Sequence, residues 1–136
     1  MTEPASASAS GRQRAGGEDA GIRRLREISL AFPEAFEQIA WGEPTFRVRK
    51  KMFAMYAAAE NHHGGGRYAV WCTAPLGVQE ILVRAEPEKF FIPPYVGVKG
   101  WIGIQLDAVS DEELRSLLLQ AYCVVAPAKL QALLPS

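Results

Sequence analysis

The stretch Trp41-Gly42-Glu43-Pro44-Thr45-Phe46-Arg47-Val48-Arg49-Lys50-Lys51-Met52-Phe53 limits the fold more than any other part of the chain. A turn signal at Gly42 and Pro44 leads into two short alternating segments joined at Lys50-Lys51. In an antiparallel hairpin successive side chains point to opposite faces. Phe46 and Val48 therefore share a face fit for a core, while Arg47 and Arg49 share the other and Lys50 and Lys51 fall at the tip. The expected product is a compact basic ribbon on an otherwise neutral chain.

That neutrality matters for function. With 15 basic and 15 acidic residues the chain is not a general polycation. The charge is uneven, however. Residues 18–44 carry Arg23, Arg24 and Arg26 against six acids, whereas residues 45–70 carry Arg47, Arg49, Lys50, Lys51 and Arg67 against Glu60 alone. Contact with a polyanion is expected to be local. Residues 1–17 are rich in Ala, Ser, Gly and Arg without apolar periodicity and read as a disordered tail. Residues 18–136 read as a single domain. Cys72 and Cys123 make no metal motif and are expected to be free, mostly buried thiols. No apolar run resembles a signal peptide or a membrane span, so a cytoplasmic protein with no membrane partner is expected.

The periodicity predicts a helix over 19–32, with Ile22, Leu25, Ile28 and Phe32 as its stripe and Pro33 as its stop. Phe36 and Ile39 predict a short helical turn. Strands are expected at 45–49, 52–58 and 67–73, the last two joined by the loop Glu60-Asn61-His62-His63-Gly64-Gly65-Gly66. Pro75 is expected to open a helix lined by Leu76, Val78, Ile81, Leu82 and Ala85. Phe90-Phe91-Ile92 begins a second β unit that Pro93-Pro94 cuts short, and Trp101 to Leu106 reads as a strand. Ser110-Asp111-Glu112-Glu113 is a capping box, with Val109 and Leu114 as its hydrophobic staple. Leu114, Leu117, Leu118, Ala121 and Val125 follow as a core stripe ended by Pro127. The order α-β-β-β-α-β-β-α predicts an α+β fold, a two-layer sandwich with a mostly antiparallel sheet and helices on one face.

Several of these motifs together resemble the MmcQ/YjbR family. They are Trp41-Gly42-Glu43-Pro44-Thr45-Phe46, Lys51-Met52-Phe53, Phe90-Phe91-Ile92-Pro93-Pro94-Tyr95, Gly100-Trp101-Ile102-Gly103 and Val125-Ala126-Pro127-Ala128-Lys129-Leu130, in the family's order across roughly residues 20–132. The resemblance implies an α-β(3)-α-β(2)-α sandwich like that of secretion chaperones. It also implies a DNA-binding role, for which the family is named on the strength of a double-wing arrangement of hairpins. No catalytic set comes with it.

The residues themselves allow three functions. Arg47, Arg49, Lys50, Lys51, Arg67 and Lys99 form a candidate nucleic-acid surface, with double-stranded DNA held through its phosphates and the His-Gly loop as a second wing. A protein- or peptide-binding module using the sheet is the alternative. A small-ligand cleft of Trp41, Pro44, Tyr95 and Trp101, with Pro93 and Pro94, is the third. Lys and Arg also blunt sheet edges, and aromatic residues more often pack than bind. Adjacent His62 and His63 lack a third metal ligand, no nucleophile elbow exists, and Glu43 is expected to pair with Arg47 or Lys51. A monomeric, cofactor-free binding protein is therefore expected, not an enzyme.

Overall fold

A computed structural model of the protein describes residues 16–58 and 68–135. Among them, helix α1 (Gly16–Ser29) leads into strands β1 (Ala35–Ala40), β2 (Glu43–Val48), β3 (Lys51–Ala57) and β4 (Ala69–Cys72). Helix α2 (Val78–Ala85), strands β5 (Phe90–Phe91) and β6 (Ile102–Gln105), and helices α3 (Asp111–Val125) and α4 (Ala128–Gln131) complete the order. The strands form one antiparallel sheet in the order β1-β2-β3-β4-β6-β5. The expected α+β class holds, with one more strand than the sequence suggested.

That strand is β1. Phe36 and Ile39 stand in an edge strand rather than a helical turn, with Phe36 opposite Arg47 and Ile39 opposite Pro44. The cause lies downstream. Trp41 and Gly42 both adopt positive φ, 54° and 79°, and form a two-residue connection between Ala40 and Glu43. Turns of that hand match the twist of paired strands, so residues 35–40 are drawn into the sheet.

The sheet has two unequal faces. Phe46, Val48, Val70, Ile102, Ile104 and Leu106 point to the main core, where Leu25 of α1 and Leu114, Leu118 and Tyr122 of α3 cover them. Met55, Ala57, Trp71 and Trp101 form a second cluster on the opposite face, joined by Met52, Phe91 and Val96. A bulge sorts β3 between the two. Phe46 pairs with Ala54 and Arg47 with Met52, which leaves Phe53 as an extra residue. Phe53 and Ala54 can then both enter the main core, while Met52 and Met55 both reach the other face.

Helix α2 starts later than expected, and the capping box of α3 forms only in part. Pro75 lies in a turn before α2, whose N-cap is Gly77 at φ 87°. Leu76 thus falls outside the helix and is exposed, as is Ile81, while Leu82 and Val83 pack against the core. Ser110 does cap α3, its hydroxyl accepting from the Glu113 N–H at 3.1 Å. The Glu113 carboxylate turns instead to Lys89, 3.1 Å away, so only half of the capping box forms. Arg24 locks α1 to this corner. Its guanidinium donates to Asp111 Oδ1, to the Leu106 carbonyl and to the Val109 carbonyl, all at 2.7–2.8 Å.

The N-terminal helix begins at Gly16, three residues before the sequence expectation. The tail reading therefore rests on residues 1–15, which lie outside the described residues, as does the His-Gly loop.

Candidate nucleic-acid interface

The basic ribbon exists as the β2–β3 hairpin, but its four cations are not alike. Val48 pairs with Lys51, so the turn residues are Arg49 and Lys50, and Lys51 opens β3. Arg49 takes positive φ, 57°. Its Nε donates to Glu34 Oε1 at 2.7 Å, and that hydrogen bond raises its pKa further. Arg49 is thus neutralised within the chain, by an acid fifteen positions away that no local pattern linked to it. Lys50 and Lys51 are exposed and meet no carboxylate among the described residues.

Arg47 points to the face opposite the helices. Its Nε donates to Thr45 Oγ1 at 3.0 Å, and Nη2 lies 4.0 Å from Met52 Sδ. The Thr45 hydroxyl, fully buried, in turn donates to the Gln38 carbonyl. The guanidinium is half-buried and positioned, and no carboxylate neutralises it among the described residues.

The remaining predicted residues separate. Lys99 is exposed in a short 3-10 turn, Gly97–Lys99, leading to β6. It shares an end of the sheet with the Arg49–Lys50 turn, because Ile102, Cys72 and Ala54 are aligned and both segments lie on the same side of that row. The chain leaves β3 and re-enters β4 at the other end, where Ala57 pairs with Ala69. Successive connections of an antiparallel meander alternate in this way. The β2–β3 turn and the pair Ala57–Ala69 therefore stand at opposite ends of β3, about 20 Å apart at ~3.3 Å per residue. Arg67 lies outside the described residues.

The expected aromatic cleft is also dispersed. Trp41, 64% exposed, and Pro44 sit at the β1–β2 end of the sheet, whereas Trp101 precedes β6 at the opposite end and packs in the second cluster. Tyr95, 71% exposed at φ 67°, lies in the loop that follows Pro93-Pro94. Glu43 does not serve the ribbon either. It is 3% exposed, and the Ala58 N–H donates to its Oε2 at 3.2 Å. The antiparallel register sets Glu43 beside the end of β3 and leaves Lys51 at its start.

Among the described residues no set of three His, Cys, Asp or Glu side chains converges on a metal position. Both cysteines are free; burial pushes the Cys72 thiol up to about 12. No helix there is long and apolar enough to cross a membrane.

Comparison with known proteins agrees with this architecture. The crystal structure of Deinococcus radiodurans protein DR2400, which carries the DUF419 domain, matches with a TM-score of 0.67 at 19% identity, covering 82% of this chain and 85% of that one. At that identity the likeness speaks for the fold. No curated protein matches the chain. The YjbR family model matches residues 30–124, more than half of the chain and all the strands from β1 to β6. This chain belongs to the YjbR family.

Proposed function

We propose that this protein is a binding module for nucleic acid, with duplex DNA held weakly through its phosphates by the β2–β3 hairpin. The observation that carries the reading is the pair Lys50 and Lys51, exposed beside the positioned Arg47 and without carboxylate partners among the described residues. Exposed cations with no internal partner are free to displace the counterions condensed on DNA. Lys99 lies on the same rim and adds to the local field. Arg49 contributes less, because Glu34 already occupies it. The β2–β3 hairpin carries the contact in this reading, in a cytoplasmic protein without catalysis.

The test is fluorescence anisotropy against random duplex DNA at two salt concentrations. Three phosphate contacts, by Arg47, Lys50 and Lys51, give a log–log salt slope of roughly −2.7 at about 0.9 per contact. Replacing Lys50 and Lys51 by Gln removes about 1.8 of that slope and weakens all sequences alike. An absence of salt-sensitive association at about 20 mM salt would reduce the hairpin to a solubility device. The protein-partner reading would then lead. It draws on a different feature, the β1 edge, where Ile39 and Trp41 are exposed.

A further inference from the structure

Arg47 differs from the other described cations that are held in place. Arg24, Arg26, Arg49, Arg84 and Lys89 each pair with a carboxylate. Arg47 is half-buried, pinned at Nε by Thr45, with Nη2 4.0 Å from Met52 Sδ and no carboxylate partner among the described residues. Holding a cation partly out of water without a counter-ion is unfavourable, and an incoming oxyanion would offset the cost. The Thr45 hydroxyl, committed to the Gln38 carbonyl, fixes the orientation in advance.

The neighbours of Arg47 indicate which oxyanion fits. Phe36 lies directly across from Arg47 on β1 and is 40% exposed; Met52 lies directly across on β3. Residues opposite one another in an antiparallel pair share a face, with Cβ atoms about 5 Å apart. The row therefore sets an exposed aromatic ring beside a positioned guanidinium. An anion with a planar ring attached suits that row, whereas a bare duplex backbone would leave the ring unused. Stacked duplex bases are also inaccessible to the ring, while the unstacked bases of a single strand are not.

We propose that the row Phe36, Arg47 and Met52 binds one nucleotide of a single-stranded nucleic acid, its base stacked on Phe36 and its phosphate on the Arg47 fork. This rests on the nucleic-acid reading above and adds a second mode to it, on the sheet face rather than at the turn. The two modes separate by mutation. Phe36 serves only the single strand, Lys50 and Lys51 serve any backbone, and Arg47 serves both.

The experiment titrates the full chain into fluorescein-labelled oligo(dT) of about twelve nucleotides and into a duplex of the same length. Wild type is compared with Phe36→Ala, with Arg47→Lys, which keeps the charge and removes the fork, and with the Lys50→Gln/Lys51→Gln pair. Circular dichroism melts confirm that each variant folds. The expected result is a single-strand affinity about tenfold lower for Phe36→Ala, with duplex affinity unchanged. Arg47→Lys should weaken the single strand more than the duplex. If folded Phe36→Ala and Arg47→Lys bind oligo(dT) within about twofold of wild type, the sheet-face site is wrong, and persisting duplex binding leaves the hairpin reading standing. If wild type binds neither probe, both readings fall together.

Discussion

Glu34 and Arg49 face each other across two turns, each at positive φ, 60° and 57°. Non-glycine residues hold that conformation at a cost, and an ion pair screened by solvent offsets little of it. The pair is thus not a strong source of stability, and its larger effect is on the charge presented at the hairpin turn. Glu34→Gln should leave the chemical-denaturation midpoint within error of wild type. Under the nucleic-acid reading it should raise duplex affinity at low salt and steepen the salt slope by about 0.9, because Arg49 is released for a fourth phosphate. An unchanged slope in the anisotropy titration would mean that Arg49 does not reach the ligand. A second residue-scale prediction concerns Cys72, whose thiol is raised from 9.0 to about 12 by complete burial. The unfolded state then loses its thiol proton first as pH rises. Stability from this group is fully present below about pH 9 and declines toward pH 12, by ~1.4 kcal/mol per unit. The loss between pH 8 and 10, read by chemical denaturation, should be smaller in Cys72→Ala by about that amount. Residue identities were legible where alternation decides them, as for Phe46, Arg47 and Val48. They were not legible where a contact spans the sequence, as for Glu34 with Arg49 or Glu113 with Lys89.

At the scale of elements, α3 was the best specified in sequence, and the structure agrees on its Ser110 cap and its core stripe. Ser110→Ala should cost about 1 kcal/mol in chemical denaturation, the usual loss of an N-cap hydroxyl. A shift indistinguishable from zero would place the energetic start of the helix elsewhere. Strand β1 was the least legible. The three-residue spacing of Phe36 and Ile39 imitates a helix, and Glu37-Gln38 between them breaks the alternation that marks a strand. The decisive information lies in Trp41-Gly42, whose positive φ values close a hairpin onto whatever precedes them. Strand β6 carries its own constraint at Gly103. A Cβ there would fall 2.3–2.7 Å from three atoms of the Phe91 ring, which lies across the glycine from β5. Gly103→Ala must displace that ring and should cost about 1–3 kcal/mol. Adding Phe91→Ala should recover part of the loss, a coupling that a double-mutant cycle measures.

At the scale of the molecule, the helices cover one sheet face and the chain meanders through β1 to β4, so consecutive connections face opposite ends. This geometry, more than the number of cations, decides what a ligand can touch at once. It brings Lys50, Lys51 and Lys99 to one end and sends Trp41 to the other. The sequence carries the strands other than β1, but not this division. Spacing along the chain does not say which end of the sheet a connection occupies; the register does. What belongs to the folded unit is clearer. Among the described residues, those of the two apolar clusters lie between Ile22 and Leu134, and the family match begins at residue 30. Residues 1–15 are rich in Ala, Ser and Arg and carry no apolar periodicity, the composition expected of a tail. Deleting residues 1–15 should therefore leave the thermal midpoint within error of the full chain. A loss of 1 kcal/mol in a domain of this size lowers the midpoint by several degrees, so the measurement has the needed sensitivity. The same truncation removes Arg12 and Arg14. Under the hairpin reading it should leave the duplex salt slope near roughly −2.7. A flatter slope with an unchanged midpoint would transfer part of the phosphate contact from the hairpin to the N-terminal arginines.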